Sequence, residues 1–200
     1  GMPSWDSFTE RFGCYFAPKQ EMQIDALTGD QLRATLLRMR SASAPGCDSW
    51  RVDELKRLPL PYLDRLACLL DIVEQTGVWP AALCESVVSL ITKGEGTSPL
   101  KLRPIGVMSA VYRLWAACRV RQVMVWQESW IDAELHGFRT AHGAEDVWWK
   151  QALEVEEALL QADSLFGLSL DYGKCFDRIP INIVLQLALE QGMSDRIVLP

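Results

Sequence analysis

Nowhere in this 200-residue chain do apolar residues run unbroken for about eighteen positions, so no membrane-spanning helix is expected. Paired cysteines are also missing. The six cysteines, at positions 14, 47, 68, 84, 118 and 175, are far apart and form no CxxC pair. That spacing argues against a zinc knuckle or a disulfide framework and for small, reduced core thiols. Histidine is scarce: His136 and His142 stand six apart with no Cys or Glu at ligand spacing, so no zinc site is expected. The first residues show no basic stretch followed by an apolar block, which gives no sign of a secretory signal. With reduced thiols, this points to an intracellular protein, nuclear or cytoplasmic. There are no internal repeats and no low-complexity tract.

What is present is ordinary globular composition, 49% apolar and 23% charged, enough for one domain or for a domain and part of another. The net charge is −6, the wrong sign on average for a nucleic-acid binder. Its distribution is uneven. Between Lys93 and Arg121 stand Lys93, Lys101, Arg103, Arg113, Arg119 and Arg121, against the single acidic Glu95. A basic patch on an acidic body suits a focused phosphate site better than a long duplex track; the alternative is a solvated helix face.

Trp5, Phe8 and Phe12 keep helical spacing. Thr28 and Gln31 have the form of a capping box, with Leu32, Leu36 and Met39 marking one helix face after them. Residues 41–46 form a loop of small residues. Val52, Leu55 and Leu58 predict a short helix stopped by Pro59. Leu63, Leu66, Leu70 and Val73 predict a longer one, ended at Gly77. Residues 87–92 read as a strand and 102–107 as its return, with Pro104 demoting the second to an edge. A long helix runs from Ser109 to about Glu128, another over 144–159, and a last one around Ile183–Ala188. Trp126, Trp130, Trp148 and Trp149 read as core or inter-element anchors rather than a stacking platform.

The stretch of greatest interest is residues 165–180. The apolar run 165–170 predicts a buried strand that ends in one carboxylate, Asp171, before Gly173 turns the chain into a helix. A carboxylate at a strand tip can hold a hard cation such as Mg²⁺. The ordinary alternative is a turn former or helix cap.

Four pieces taken together resemble the reverse transcriptases of non-LTR retrotransposons and, more loosely, of group II introns. Ala44-Pro-Gly-Cys-Asp48 is similar to the family's Ala-Pro-Gly-x-Asp loop. Ile91-Thr-Lys93, Leu102-Arg-Pro-Ile105 and Tyr112-Arg-Leu114 are similar to the paired fingers strands and the helix after them. His136-Gly-Phe-Arg139, followed by Glu145-Asp-Val147, is similar to the Gly-Phe-Arg segment. Leu170-Asp-Tyr-Gly-Lys-Cys-Phe-Asp-Arg-Ile-Pro180 resembles the first palm motif. There are departures. The chain contains no Asp-Asp, so the aromatic–x–Asp–Asp turn is missing, as is the thumb, and Ser43 stands where the family usually has a basic residue.

The resemblance implies a helix-rich α+β fold: fingers and partial palm of a right-hand polymerase, with a short antiparallel fingers hairpin and an incomplete palm sheet. It divides the chain into an N-terminal helical extension (1–43), fingers (44–163) and the beginning of a palm (164–200). It implies an RNA-directed DNA polymerase using two Mg²⁺ ions, an RNA template, a DNA primer and deoxynucleoside triphosphates, with this piece inactive alone. Asp171 would be the catalytic metal ligand, joined by the backbone carbonyl of Tyr172. Lys93 and Arg103 would meet the triphosphate, and Phe176 would pack beneath the sugar and exclude a 2′-hydroxyl. Read without the family, Lys93 is a loop lysine and Phe176 a core ring. Arg139 is either a template or primer contact or one half of a structural ion pair. Asp177 reads as a local hydrogen-bond partner or helix-start residue, and Lys174 has no assigned role. The alternatives are a non-catalytic or domesticated fingers module that binds RNA or a protein, and an unrelated helical interaction domain.

Overall fold

Thr28 opens the first long helix by the device its sequence announces. Its amide donates to Gln31 Oε1 at 3.0 Å and its hydroxyl accepts from the Gln31 amide at 3.3 Å, which satisfies two amides that the helix start would leave unpaired. In the computed structural model of the chain, residues 3–92, 102–173 and 175–200 are described. They form ten α-helices, a short 3₁₀ turn and two strands, a helix-rich α+β arrangement. No helix among the described residues is long and apolar enough to cross a membrane. Contacts divide the chain into two compact units, residues 23–123 with 194–200, and residues 1–22 with 124–193.

The first unit holds α2 (Gly29–Arg38), α3 (Val52–Arg57), α4 (Leu60–Thr76), α5 (Ala81–Cys84), β1 (Val87–Thr92), β2 (Leu102–Val107), α6 (Ala110–Gln127, as far as Val123) and α10 (Asp195–Val198). The predicted apolar positions meet here. Leu32 and Leu36 of α2 pack with Val52 and Leu55 of α3, Leu63, Ala67 and Leu70 of α4, and Ala110, Leu114 and Cys118 of α6. Each of the fully buried leucines contributes about 1.5–3 kcal/mol. Burial also pushes the Cys118 thiol up from its ordinary value, so it stays a neutral core residue. Gly77 ends α4 in the left-handed region, φ 68°, with its amide on Val73 O at 2.8 Å. Trp79 packs its ring against Tyr112 and Trp115 and donates Nε1–H to Pro200 O at 2.9 Å.

The two strands pair antiparallel from Val87↔Val107 to Thr92↔Leu102. Pro104 lies opposite Leu90 and is tolerated because a two-stranded ribbon consists of edges only. Every residue of β1 is exposed, so the hairpin contributes little to the core.

The second unit holds α1 (Trp5–Phe12), α7 (Ala144–Gln161), α8 (Cys175–Arg178) and α9 (Ile181–Glu190). Phe8 packs on Trp5, Phe12 and Phe16, and Trp5 also on Phe16, with centroids 5.1–6.0 Å apart. Residues 20–22 are tied to the end of α9 by Gln20 N→Gln191 O (3.0 Å) and Met22 N→Gly192 O (2.7 Å). Trp126 is buried and donates to Gln20 O.

Three expectations need correction. The cysteines are not core residues as a set: all six thiols are free, but only Cys118 is buried and the other five are exposed. Residues 165–170 are not a buried strand: they have no regular structure, and Phe166 is 92% exposed. A strand needs a neighbour for its N–H and C=O groups, and no described segment pairs with this one, so the apolar run alone does not make a strand. The expected incomplete palm sheet is therefore not formed, and the one sheet among the described residues is the hairpin. Trp148 and Trp149 are not core anchors either, because α7 has no buried residue and the two indoles pack edge to face on each other at its surface.

Candidate functional site

The Ala44–Asp48 loop is seated on the first turn of α6. Ser109 Oγ donates to Asp48 Oδ2 at 2.6 Å and accepts from the Val111 amide at 3.1 Å, so a single hydroxyl caps the helix and holds the loop. Arg113 Nη2 donates to Ala44 O at 2.7 Å. Between these ties, Gly46 lies so close to α6 that a Cβ there would stand 2.7 Å from the Ser109 amide nitrogen. The Ala-Pro-Gly-Cys-Asp piece and the Tyr112-Arg-Leu piece, sixty-odd residues apart in sequence, are one packed unit in space.

Of the four basic residues described between 93 and 121, three are engaged by the protein itself. Arg119 is fully buried on Glu74, Arg113 holds the loop, and Arg121 Nη1 reaches Thr35 Oγ1 at 3.4 Å. Arg103 differs: it sits on β2 opposite Ile91 and is exposed. Lys93 and Lys101 lie outside the described residues. Counting charges along the sequence therefore overstated the patch, because it could not tell a buried partner from a free cation.

In the second unit, Asp171 and Tyr172 are exposed in an irregular segment, and no hydrogen bond or ion pair among the described residues engages the Asp171 carboxylate. Phe176, in α8, is exposed rather than a core ring and meets Phe138 edge to face, centroids 6.5 Å apart. The Gly-Phe-Arg piece and the palm-like piece thus touch through one aromatic pair. Asp177 lies within α8, and Lys174 is outside the described residues.

Arg139 lies in an ion pair. Its Nε and Nη2 donate to Glu128 Oε1 and Oε2 at 3.0 and 2.7 Å, while Nη1 donates to the carbonyls of Asp132 and Leu135. The fork geometry suits a carboxylate held bidentate. The hydrogen bond from Arg139 holds the Glu128 carboxyl below its ordinary value, and the same bond raises the guanidinium.

A further cluster was missed in the sequence. His136 Nδ1 and His142 Nδ1 are 3.1 Å apart, and a ring nitrogen of each and a carboxylate oxygen of Asp146 all lie within 4.8 Å of one another. The signal in the sequence is Asp146, four residues past His142 and in the first turn of α7.

Mg²⁺ in pairs needs several carboxylates around it. Asp171 supplies one, and it belongs to no group of three or more ligating side chains among the described residues, so this chain alone does not fit a two-ion site. No protein-family model matches the chain, and no curated protein matches it, so any functional assignment rests on the motifs and the geometry above.

Proposed function

We propose that the chain is the fingers and the first palm segment of an RNA-directed DNA polymerase of the non-LTR retroelement type, acting within a longer polypeptide. The observation that carries this reading is the order of four motif pieces over residues 44–180. Two supporting facts go beyond order. The Ala-Pro-Gly loop and the Tyr-Arg-Leu helix are joined by Asp48–Ser109 and Arg113–Ala44, and the Gly-Phe-Arg and palm pieces are joined by Phe138 and Phe176. Motifs that occur together by chance have no reason to pack pairwise.

In this reading Asp171 and the Tyr172 carbonyl take part in holding Mg²⁺, Lys93 and Arg103 neutralise the incoming triphosphate, and Phe176 discriminates against a 2′-hydroxyl. Template RNA and primer DNA are the macromolecular partners. Bound Mg²⁺ supplies charge stabilisation to a phosphoryl transfer. Arg103 suits the triphosphate role because it is exposed and presents a planar fork to phosphate oxygens. A second reading, a non-catalytic module that binds RNA or a protein, is favoured because Asp171 joins no cluster of three or more ligating side chains among the described residues.

One experiment separates the two. The coding sequence is read past Pro200 for an aromatic–x–Asp–Asp turn, and the complete protein is assayed for primer extension on an RNA template beside its Asp171→Asn variant. Extension that Asp171→Asn abolishes while template binding persists supports the polymerase. Template binding without extension in the parent supports the module. Extension by Asp171→Asn at the parent rate overturns the role of Asp171.

A further inference from the structure

We infer that His136, His142 and Asp146 form a binding site for a divalent first-row transition metal, with zinc as the occupant. This does not depend on the polymerase reading.

The geometry is the first argument. Two nitrogens each about 2.0–2.1 Å from one tetrahedral zinc lie about 3.3 Å apart. The Nδ1 atoms of His136 and His142 are 3.1 Å apart, already close to that separation. Asp146 brings a carboxylate oxygen within 4.8 Å of a ring nitrogen of each histidine. Asp146 Oδ2 accepts the Gly143 amide at 2.7 Å, but a carboxylate has four lone-pair sites and keeps capacity for a metal. Imidazole and carboxylate are borderline-to-hard donors suited to zinc, and three protein ligands leave a fourth position for water. Asp146 is exposed and both histidines are partly so, which gives an ion a path in.

The second argument is that the ligands sit on a fixed frame. Arg139 ties the carbonyls of Asp132 and Leu135 to Glu128, and Leu135 immediately precedes His136. His142 precedes Gly143, the N-cap of α7, and Asp146 is the residue whose side chain caps it. A metal site gains from such support, because little ordering remains when the ion binds.

Without metal, the short Nδ1···Nδ1 contact requires one ring to donate and the other to accept. With metal, both rings present Nδ1 lone pairs and carry their protons on Nε2. The change is one of tautomer, and no proton is lost. An ion would thus replace one ring-to-ring hydrogen bond by a clip between the 128–143 loop and the start of α7.

The chain has only two histidines, so imidazole NMR reads the site directly. The 200-residue chain is titrated with Zn²⁺ and only the two imidazoles are read, so zinc taken up by the six thiols does not enter the signal. Both rings are expected to shift together and to saturate at low micromolar free zinc. Asp146→Asn keeps the helix cap and is expected to weaken binding at least about tenfold. His136→Asn is expected to abolish the shift of the His142 ring. Rings unmoved at saturating zinc, one ring moving alone in the parent, or parent affinity in Asp146→Asn would each overturn the site. Because the parent titration needs no variant, a misfolded substitution leaves the inference testable.

Discussion

Glu74 and Arg119 form a bidentate ion pair inside the first unit: Arg119 Nε lies 2.7 Å from Glu74 Oε1, and Nη2 lies 2.5 Å from Oε2, with neither side chain open to solvent. The carboxylate also accepts from Trp115 Nε1 at 2.8 Å and Arg196 Nε at 3.1 Å. Arg119 also donates from Nη2 to Asp25 O and from Nη1 to Gln122 Oε1. One carboxylate therefore joins α4, α6 and α10.

Removing that carboxylate should be severe. Glu74→Ala leaves the Arg119 guanidinium buried without a counter-charge, and breaking a buried pair from one side costs about 3–5 kcal/mol. The cost exceeds the pair's own net worth, because both charges lost water on burial. The fall should appear as a lower urea midpoint with an unchanged slope. A loss below about 1 kcal/mol, the range of exposed pairs, would mean that water reaches Arg119 in solution.

Gly46 offers a test of backbone approach. A methyl group there would meet the Ser109 nitrogen and Cα at 2.7 and 2.8 Å, and backbone cannot rotate aside as a flexible side chain can. Gly46→Ala should cost about 1–3 kcal/mol through overpacking and loosen the Asp48–Ser109 contact. Thermal unfolding measures the loss; an unchanged Tm would show that the loop is not seated on α6 in solution.

These two sites show which parts of the molecule could be read in advance. Signals that act over a few residues were legible. The Thr28–Gln31 capping box formed, Gly77 stopped α4, and residues 87–92 and 102–107 paired despite Pro104. Features that depend on a distant partner were not. The run 165–170 is apolar enough for a strand, but strand formation needs a neighbour that periodicity cannot reveal. Arg119 counts the same as Arg103 in a charge tally, yet one is buried on Glu74 and the other exposed on β2. The histidine pair was visible as two residues six apart and Asp146 as four residues further on, but that the loop brings His136 back beside His142 depends on a chain path that spacing does not reveal.

The Glu128–Arg139 pair makes part of the second unit acid-sensitive. The hydrogen bond from Arg139 lowers the Glu128 carboxyl below its ordinary value of 4.5, whereas Arg139 stays charged throughout. A carboxyl whose folded value lies below its unfolded one contributes stability that is fully present above the unfolded value. That contribution is lost as the pH falls through the folded value. Glu128→Gln lacks it at every pH. The Tm difference between parent and Glu128→Gln should therefore be constant at neutral pH and shrink to nothing in acid, below pH 4.5. A difference that persists undiminished in acid would show that the substitution acts through something other than the carboxylate charge, and no difference at any pH would assign the loop's stability to the carbonyl contacts of Arg139.

Arg103 and Phe176 separate charge from shape in the proposed polymerase. Arg103 is exposed on β2, so replacing it by alanine creates no cavity and leaves the fold intact. If it meets a triphosphate, the loss is one charge-assisted contact of about 1.5–3 kcal/mol, or about 10- to 150-fold in nucleotide KM. Template affinity should change far less, and Lys93→Ala should behave alike. Phe176 is 74% exposed, so its replacement by valine also costs little stability. Its expected effect is on selectivity: the complete protein should accept ribonucleotides more readily, with its deoxynucleotide KM nearly unchanged, because the lost interaction is a clash and not an attraction. Both are read in one primer-extension assay with paired deoxy- and ribonucleotide titrations. Unchanged sugar selectivity in Phe176→Val would leave Phe176 as the surface partner of Phe138 and nothing more. Equal losses of template and nucleotide affinity in Arg103→Ala would make the hairpin a general phosphate-backbone contact, which is the behaviour expected of an RNA-binding module and not of a nucleotide site.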